Sequence, residues 1–340
     1  MIGQLVLSAA RAGQPWQARI QNGPDMARTC MGLPPEEART RLASLFSLCG
    51  AAHAAAATQA LGLPEQESQD KTAACTRDIL RDHALDLLHT WPRHLGLAPD
   101  RAALARTLAA TTSPHHSERG QTATTLTGLE TPLPQLALAD FDHWLEASRT
   151  TQPPAPLAAV LAPLQALVPP AQGRADLPAP DCADLAAIAT GAQPPARDAS
   201  ILADHRDTPL LHGLIAREGV SLFVRVVARA LDLLAALSDP LRLFTRTRAL
   251  AARLPTEAGA MPQGRLGVAR AARGLLVHHA TIQNGRVKAY TVFSPTGWHM
   301  AHNGLLRRCL HSLPTVDSPA LLPALLLSAI NPCVPTHVES

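Results

Sequence analysis

The stretch FSLCGAAHAAAA, from Phe46 to Ala57, decides how the chain is read. Alanine favours helix, and residues four apart on a helix share a face, so Phe46, Cys49 and His53 are predicted to line one stripe. Gly50 sits beside the thiol although glycine costs a helix roughly 1 kcal/mol relative to alanine. A thiol and an imidazole one turn apart suit two metal ligands; they equally suit a buried small thiol and a hydrogen-bonded core histidine. A second Cys-x-x-x-His, CVPTH, runs from Cys333 to His337 almost at the end of the chain, with Pro332 and Pro335 restricting its backbone.

Working outward, the first residues read as a hairpin in which QLVL and WQARIQ flank the turn-forming RAGQP. Pro34, Pro35 and paired glutamates then open a helix that continues through the quoted stretch to Gly62. ACTRDILRDHALDLLHTW repeats apolar residues with a helical period. Eight prolines between Thr150 and Asp181 mark a connector or surface excursion with room for one short helix between Pro156 and Pro169. A long helix is expected at about 221–237. GLLVHHATIQNGRVKAYTVF carries two alternating runs around Asn284-Gly285, the pair preferred by a type I′ turn. The expected fold is mainly α within the α+β class, a helical core with peripheral β-hairpins. One domain over 1–340 is expected, with the Pro-rich excursion at about 150–181.

The composition excludes several functions. With 340 residues, 46% hydrophobic and 17% charged, the chain is built to fold rather than to stay disordered. A net charge of +3 without a Lys/Arg cluster among aromatics gives no footing for nucleic acid. Six cysteines lie far apart, unlike a secreted disulfide scaffold. The N-terminus lacks a basic leader region, and the apolar run Ala320–Ile330 is shorter than the ~20 residues of a membrane span and is interrupted by Pro323. A soluble, cytoplasmic protein is expected. No Gly-rich phosphate loop, Gly-x-Ser-x-Gly elbow or His-Glu-x-x-His helix occurs. His115-His116 read as a solvated pair, and His278 and His279 fall on opposite faces of a strand.

The order of the pieces resembles the large subunit of the nickel–iron hydrogenases, whose motifs are Arg-x-Cys-Gly-x-Cys-x-x-x-His and Asp-Pro-Cys-x-x-Cys-x-x-His. Cys49 and His53 match the second cysteine and the histidine of the first motif, with Phe46 in place of the first cysteine. Asn331-Pro332-Cys333 matches Asp-Pro-Cys, but Thr336 replaces the last cysteine; Glu339 falls at the final histidine's place, with His337 nearby. ARGLLVH, Ala272 to His278, looks like the family's Pro-Arg-Gly-x-Leu-x-His, making Arg273 the arginine over the site. PTGW, Pro295 to Trp298, resembles Pro-Thr-Thr-Trp.

Four thiolates hold nickel and iron in that family. Here one bridging and one terminal position remain, so nickel and hydrogen turnover are not expected. This pattern of a degenerate, truncated large subunit resembles the HupK/HoxV-type hydrogenase accessory proteins. That resemblance implies a non-catalytic scaffold for an iron unit carrying cyanide and carbon monoxide, ligated by Cys49 and Cys333. Arg273 would donate to a cyanide nitrogen, His53 would steady the Cys49 sulfur, and His337 would stand near. The implied partners are other hydrogenase maturation proteins and the large-subunit precursor. An extension of the kind that precursors of the family lose after nickel insertion is not expected after Cys333. Two alternatives stay open: a metal-free assembly chaperone, and a zinc protein using Cys49, His53, Cys333 and His337.

Overall fold

A computed structural model describes residues 2–9, 15–64, 68–113, 115–257, 264–314 and 321–339. Strands β1 (Ile2–Ala9) and β2 (Trp16–Asn22) pair antiparallel, with Leu5 opposite Ile20 and Leu7 opposite Ala18. The expected hairpin is present; most of its turn, RAGQ, lies outside the described residues. Helix α1 (Pro35–Leu45) starts with proline at its first position and two glutamates in its first turn, as its dipole favours.

The helix expected to run to Gly62 is broken. Phe46 leaves helical geometry at φ −109°, ψ 52°, a 3₁₀ turn covers Ser47–Cys49, and α2 (Gly50–Ala60) begins afresh. At Gly50 a Cβ would meet the Ala43 carbonyl at 3.1 Å, so the turn folds back tightly on α1. Helix α3 (Ser68–Leu85) then runs into a π-turn at Asp86–Thr90 before α4 (Trp91–His94). Pro92 has no N–H to give to a helical ladder, and the wider turn fits the chain around it.

Helices α5 (Arg101–Ala110), α6 (His116–Thr127), α7 (Leu138–Ser148), α8 (Pro156–Leu167), α9 (Cys182–Ala189), α10 (Leu202–His205) and α11 (Pro209–Glu218) follow. Thus α8 is the short helix allowed within the Pro-rich region. His115, read as part of a solvated pair, is exposed, and it stands at the N-cap of α6 rather than within a loop.

Helix α12 (Leu222–Ser238) is capped by Ser221, whose side chain accepts from the Val224 N–H, and is buried along almost its whole length. Its charged residues are buried too, and each is matched. Arg225 donates to Asp198 at 2.8 Å, and Arg229 pairs with Asp86. Asp232 accepts from Arg270 at 2.7 Å and bonds His83 at 2.7 Å and His205 at 2.6 Å. Burial opposes that charge, yet Arg270 and the two histidines hold the Asp232 carboxyl well below its ordinary range.

After α13 (Thr245–Glu257), strands β3 (Arg265–Ala271), β4 (Gly274–Gln283) and β5 (Arg286–Phe293) form an antiparallel sheet in that order. Asn284 (φ 52°) and Gly285 (φ 69°) make the expected type I′ turn. The alanines of α2 let β3 approach closely: a Cβ on Gly267 would lie 1.9 Å from the Ala56 carbonyl. The chain closes with α14 (Pro295–His299), α15 (Leu305–His311), α16 (Leu321–Ile330) and β6 (Thr336–Glu339).

Strand β6 pairs parallel to β1, Leu5 against Thr336 and Val6 against His337, so both ends of the chain share one sheet. Thr336–Glu339, the second half of the CVPTH region and its continuation, are therefore part of a sheet. Among the described residues no helix is long and apolar enough to cross a membrane.

Candidate functional site

Cys49 sits at the break, as the N-cap residue of α2 with φ −135° and ψ 40°. The Ala51 N–H behind it donates to Asp78 of α3 at 3.1 Å, which ties the start of α2 to α3. The thiol is buried, 7% exposed. Burial pushes it up to about 11; Arg273 opposes that shift, while Asp82, Cys333 and Asp78 add to it.

Arg273 occupies the β3–β4 turn. Gly274 beside it has φ 127° and lies so close to the Ala199 carbonyl that a Cβ would stand 1.9 Å away, so only glycine fits. The Arg273 guanidinium donates from Nη2 to Asp82 at 2.8 Å, and Asn331 Nδ2 donates to the other oxygen of Asp82 at 3.1 Å. Asp82 therefore joins α3, the β3–β4 turn and the segment after α16. Nε and Nη1 of Arg273 are buried with no partner among the described residues. A cavity of about 20 Å³, lined by Arg273, Arg225, Arg229 and His299, adjoins it. This is a polar niche with spare donors and room for about one water.

Cys333 lies in the segment between α16 and β6 and is exposed. Thr296, 3% exposed in the PTGW segment at the start of α14, fixes it twice. The Cys333 N–H donates to Thr296 Oγ1 at 2.9 Å, and that hydroxyl joins the Cys333 sulfur at 3.0 Å. The PTGW match on its own points to no role for Thr296; its place opposite the cysteine supplies one. Asp82 also escapes sequence reading, because a carboxylate four residues after Asp78 on a helix looks like a solvated face.

His53 is one helical turn beyond Cys49, stacked on Phe46 with ring centroids 4.1 Å apart at 11°. Its Nδ1 bonds His278 Nε2 at 3.0 Å, and His278 Nδ1 bonds the Tyr290 hydroxyl at 2.8 Å. Burial lowers His53 to about 3 and takes His278 well below its ordinary value, so both rings are neutral at physiological pH. The bond that the structure gives His53 thus runs along the sheet. His278 is fully buried and His279 only partly, as strand alternation requires. His337 is exposed on β6, and exposed Glu339 pairs with Arg19 at 3.5 Å. Among the described residues no three His, Cys, Asp or Glu side chains gather as a metal site, so the four-ligand zinc alternative lacks its geometry.

The fold defines the class first. A chain of the Ni-Fe-Se hydrogenase of Desulfovibrio vulgaris Hildenborough superposes with a TM-score of 0.57 at 14% identity, over 96% of this chain and 95% of that one. The Ni-Fe-Se hydrogenase of Desulfomicrobium baculatum gives 0.58 at 12% identity, over 94% and 93%. This is the hydrogenase large-subunit fold.

Among curated relatives, the hydrogenase expression/formation protein HupK of Rhodobacter capsulatus is 31% identical over 317 residues, 92% of this chain and 89% of the relative. HupV of Azotobacter chroococcum mcd 1, described in the same words, is 28% identical over 92% of this chain and 90% of its own. No family model matches the chain. The chain belongs to the HupK family of hydrogenase expression/formation proteins, accessory proteins built on a large-subunit fold.

Proposed function

We propose that this protein is a non-catalytic scaffold that holds an iron unit carrying two cyanides and one carbon monoxide between Cys49 and Cys333. It then passes the unit to a hydrogenase large-subunit precursor in the cytoplasm. The observation that carries this reading is that α3 holds both cysteine segments one turn apart, Asp78 accepting from Ala51 beside Cys49 and Asp82 accepting from Asn331, two residues before Cys333, and from Arg273, which keeps two unpaired buried donor atoms.

Soft thiolates suit such an iron, and Arg273 has N–H groups to offer a cyanide nitrogen. Phe46 and Thr336 stand where a four-thiolate nickel site needs sulfur, so nickel lacks ligands. The raised Cys49 thiol favours release: iron binding displaces its proton to solvent, and departure of the iron lets the proton return. The exposed Cys333 gives an acceptor a way in. The partners on this reading are maturation proteins that supply the iron unit and the precursor that receives it.

Infrared spectroscopy of protein purified anaerobically from cells expressing the maturation machinery tests this. Cyanide and carbonyl stretches are expected in the wild type, absent from Cys49→Ala, and weak and lost on gel filtration in Cys333→Ala, both variants having unchanged circular dichroism. Intact hydrogenase maturation in both variants would instead establish a metal-free chaperone.

A further inference from the structure

A second site lies on another face of α3. Thr76 and Arg77 of α3, Thr112 after α5, Arg119 of α6, Leu241 after α12 and Arg248 of α13 line a groove of about 720 Å³. That is within the size range of pockets for small organic ligands. Three arginines, Arg77, Arg119 and Arg248, are among its lining residues, and no aspartate or glutamate is. Arg119 Nε is buried with no partner among the described residues. Arg248 is held in place: Nη2 donates to Thr72 Oγ1 at 3.0 Å, and the guanidinium lies 5.8 Å from the centre of the Phe244 ring.

The hydroxyls of the groove sharpen its chemistry. Thr76, Thr111 and Thr112 already donate to the backbone carbonyls of Thr72, Leu108 and Ala109, at 2.8, 2.7 and 3.0 Å. Their oxygens are left as acceptors, as is that of Ser113, which donates to Glu118 at 2.5 Å, so the arginines are the charged donors the groove offers an anion. A lone carboxylate engages one guanidinium fork, whereas linked phosphates present enough oxygens for several. Leu241, 59% exposed, and Pro240 add an apolar wall, and the threonine oxygens accept from ligand N–H or O–H groups.

We infer that this groove binds a phosphorylated metabolite of the nucleoside-diphosphate class. No feature of the proposed iron site enters this inference, and either can fail alone.

Calorimetric titration of the full chain with ADP and with inorganic pyrophosphate, at low salt, tests it. Both probes are expected to bind, ADP more tightly. Arg119→Gln and Arg248→Gln, checked for unchanged circular dichroism, are each expected to weaken binding by about 10-fold or more, the weight of a charged hydrogen bond. Arg248 is exposed, so its substitution leaves the fold intact even if Arg119→Gln does not. Absence of binding by both probes would overturn the inference, as would equal affinity in wild type and Arg248→Gln. Binding of a glutamate decapeptide without binding of either phosphate would overturn it in favour of an acidic protein segment.

Discussion

The two cysteines of the proposed iron site are seated in opposite ways. Cys49 is buried at a helix start, its turn pinned by Asp78 and its thiol pushed up to about 11 by burial. Cys333 is exposed on a short segment, held by Thr296 and flanked by proline on one side. A catalytic metal centre needs all its ligands fixed. A carrier is better served by one rigid anchor and one reachable ligand, because an incoming acceptor then has a sulfur to compete for.

The largest effect should come from removing either sulfur. Cys49→Ala and Cys333→Ala are each expected to lower hydrogenase activity in a complemented deletion strain by about 10-fold or more. They should differ in how iron is lost: Cys333→Ala retains iron weakly until gel filtration, and Cys49→Ala never acquires it. Equal behaviour in an iron assay before and after filtration would break the contrast between anchor and reachable ligand.

Next comes thiol reactivity. In the iron-free protein at pH 8, iodoacetamide should modify the exposed Cys333 well before Cys49, which is buried and held as the unreactive thiol. The Cys49 rate should climb about tenfold per pH unit until pH approaches 11, because its folded value is raised and it ionises only there. Mass spectrometry of the peptides reads both rates; a Cys49 rate that levels off near pH 8 would contradict the burial argument.

Arg273→Gln, which keeps length and loses charge, removes the pairing with Asp82 and the spare donors. A fall in maturation of about 10-fold is expected, with cyanide bands shifted rather than abolished. The smallest effect belongs to Thr296→Val. It leaves the Cys333 N–H without its acceptor, for a loss of about 1 kcal/mol in thermal unfolding and a maturation defect of a few-fold.

How much of this was legible in the sequence varies with the kind of signal. The β4–β5 hairpin was readable because Asn284-Gly285 names its turn and the flanking residues alternate. Helix α12 was readable because its period is long and uninterrupted. The break at Phe46 was not, since an alanine-rich stretch reads as helix all the way through and nothing local marks a fold back onto Ala43. Strand β6 was hidden for a different reason: THVE is short and mostly exposed, and it pairs only because β1 offers an edge at the opposite end of the chain. Cys49, Cys333 and Arg273 were singled out through their resemblance to family motifs. Asp82 and Thr296 were missed because each acts through a partner far away in sequence, a relation that no local pattern encodes.

The most direct test of the central claim is X-ray absorption at the iron edge on anaerobically loaded protein, counting sulfur neighbours. Two sulfurs per iron in the wild type and one in Cys333→Ala are the expected result. Four sulfurs, or a first shell of nitrogen and oxygen alone, would show that the iron is not held between the two ends of the chain.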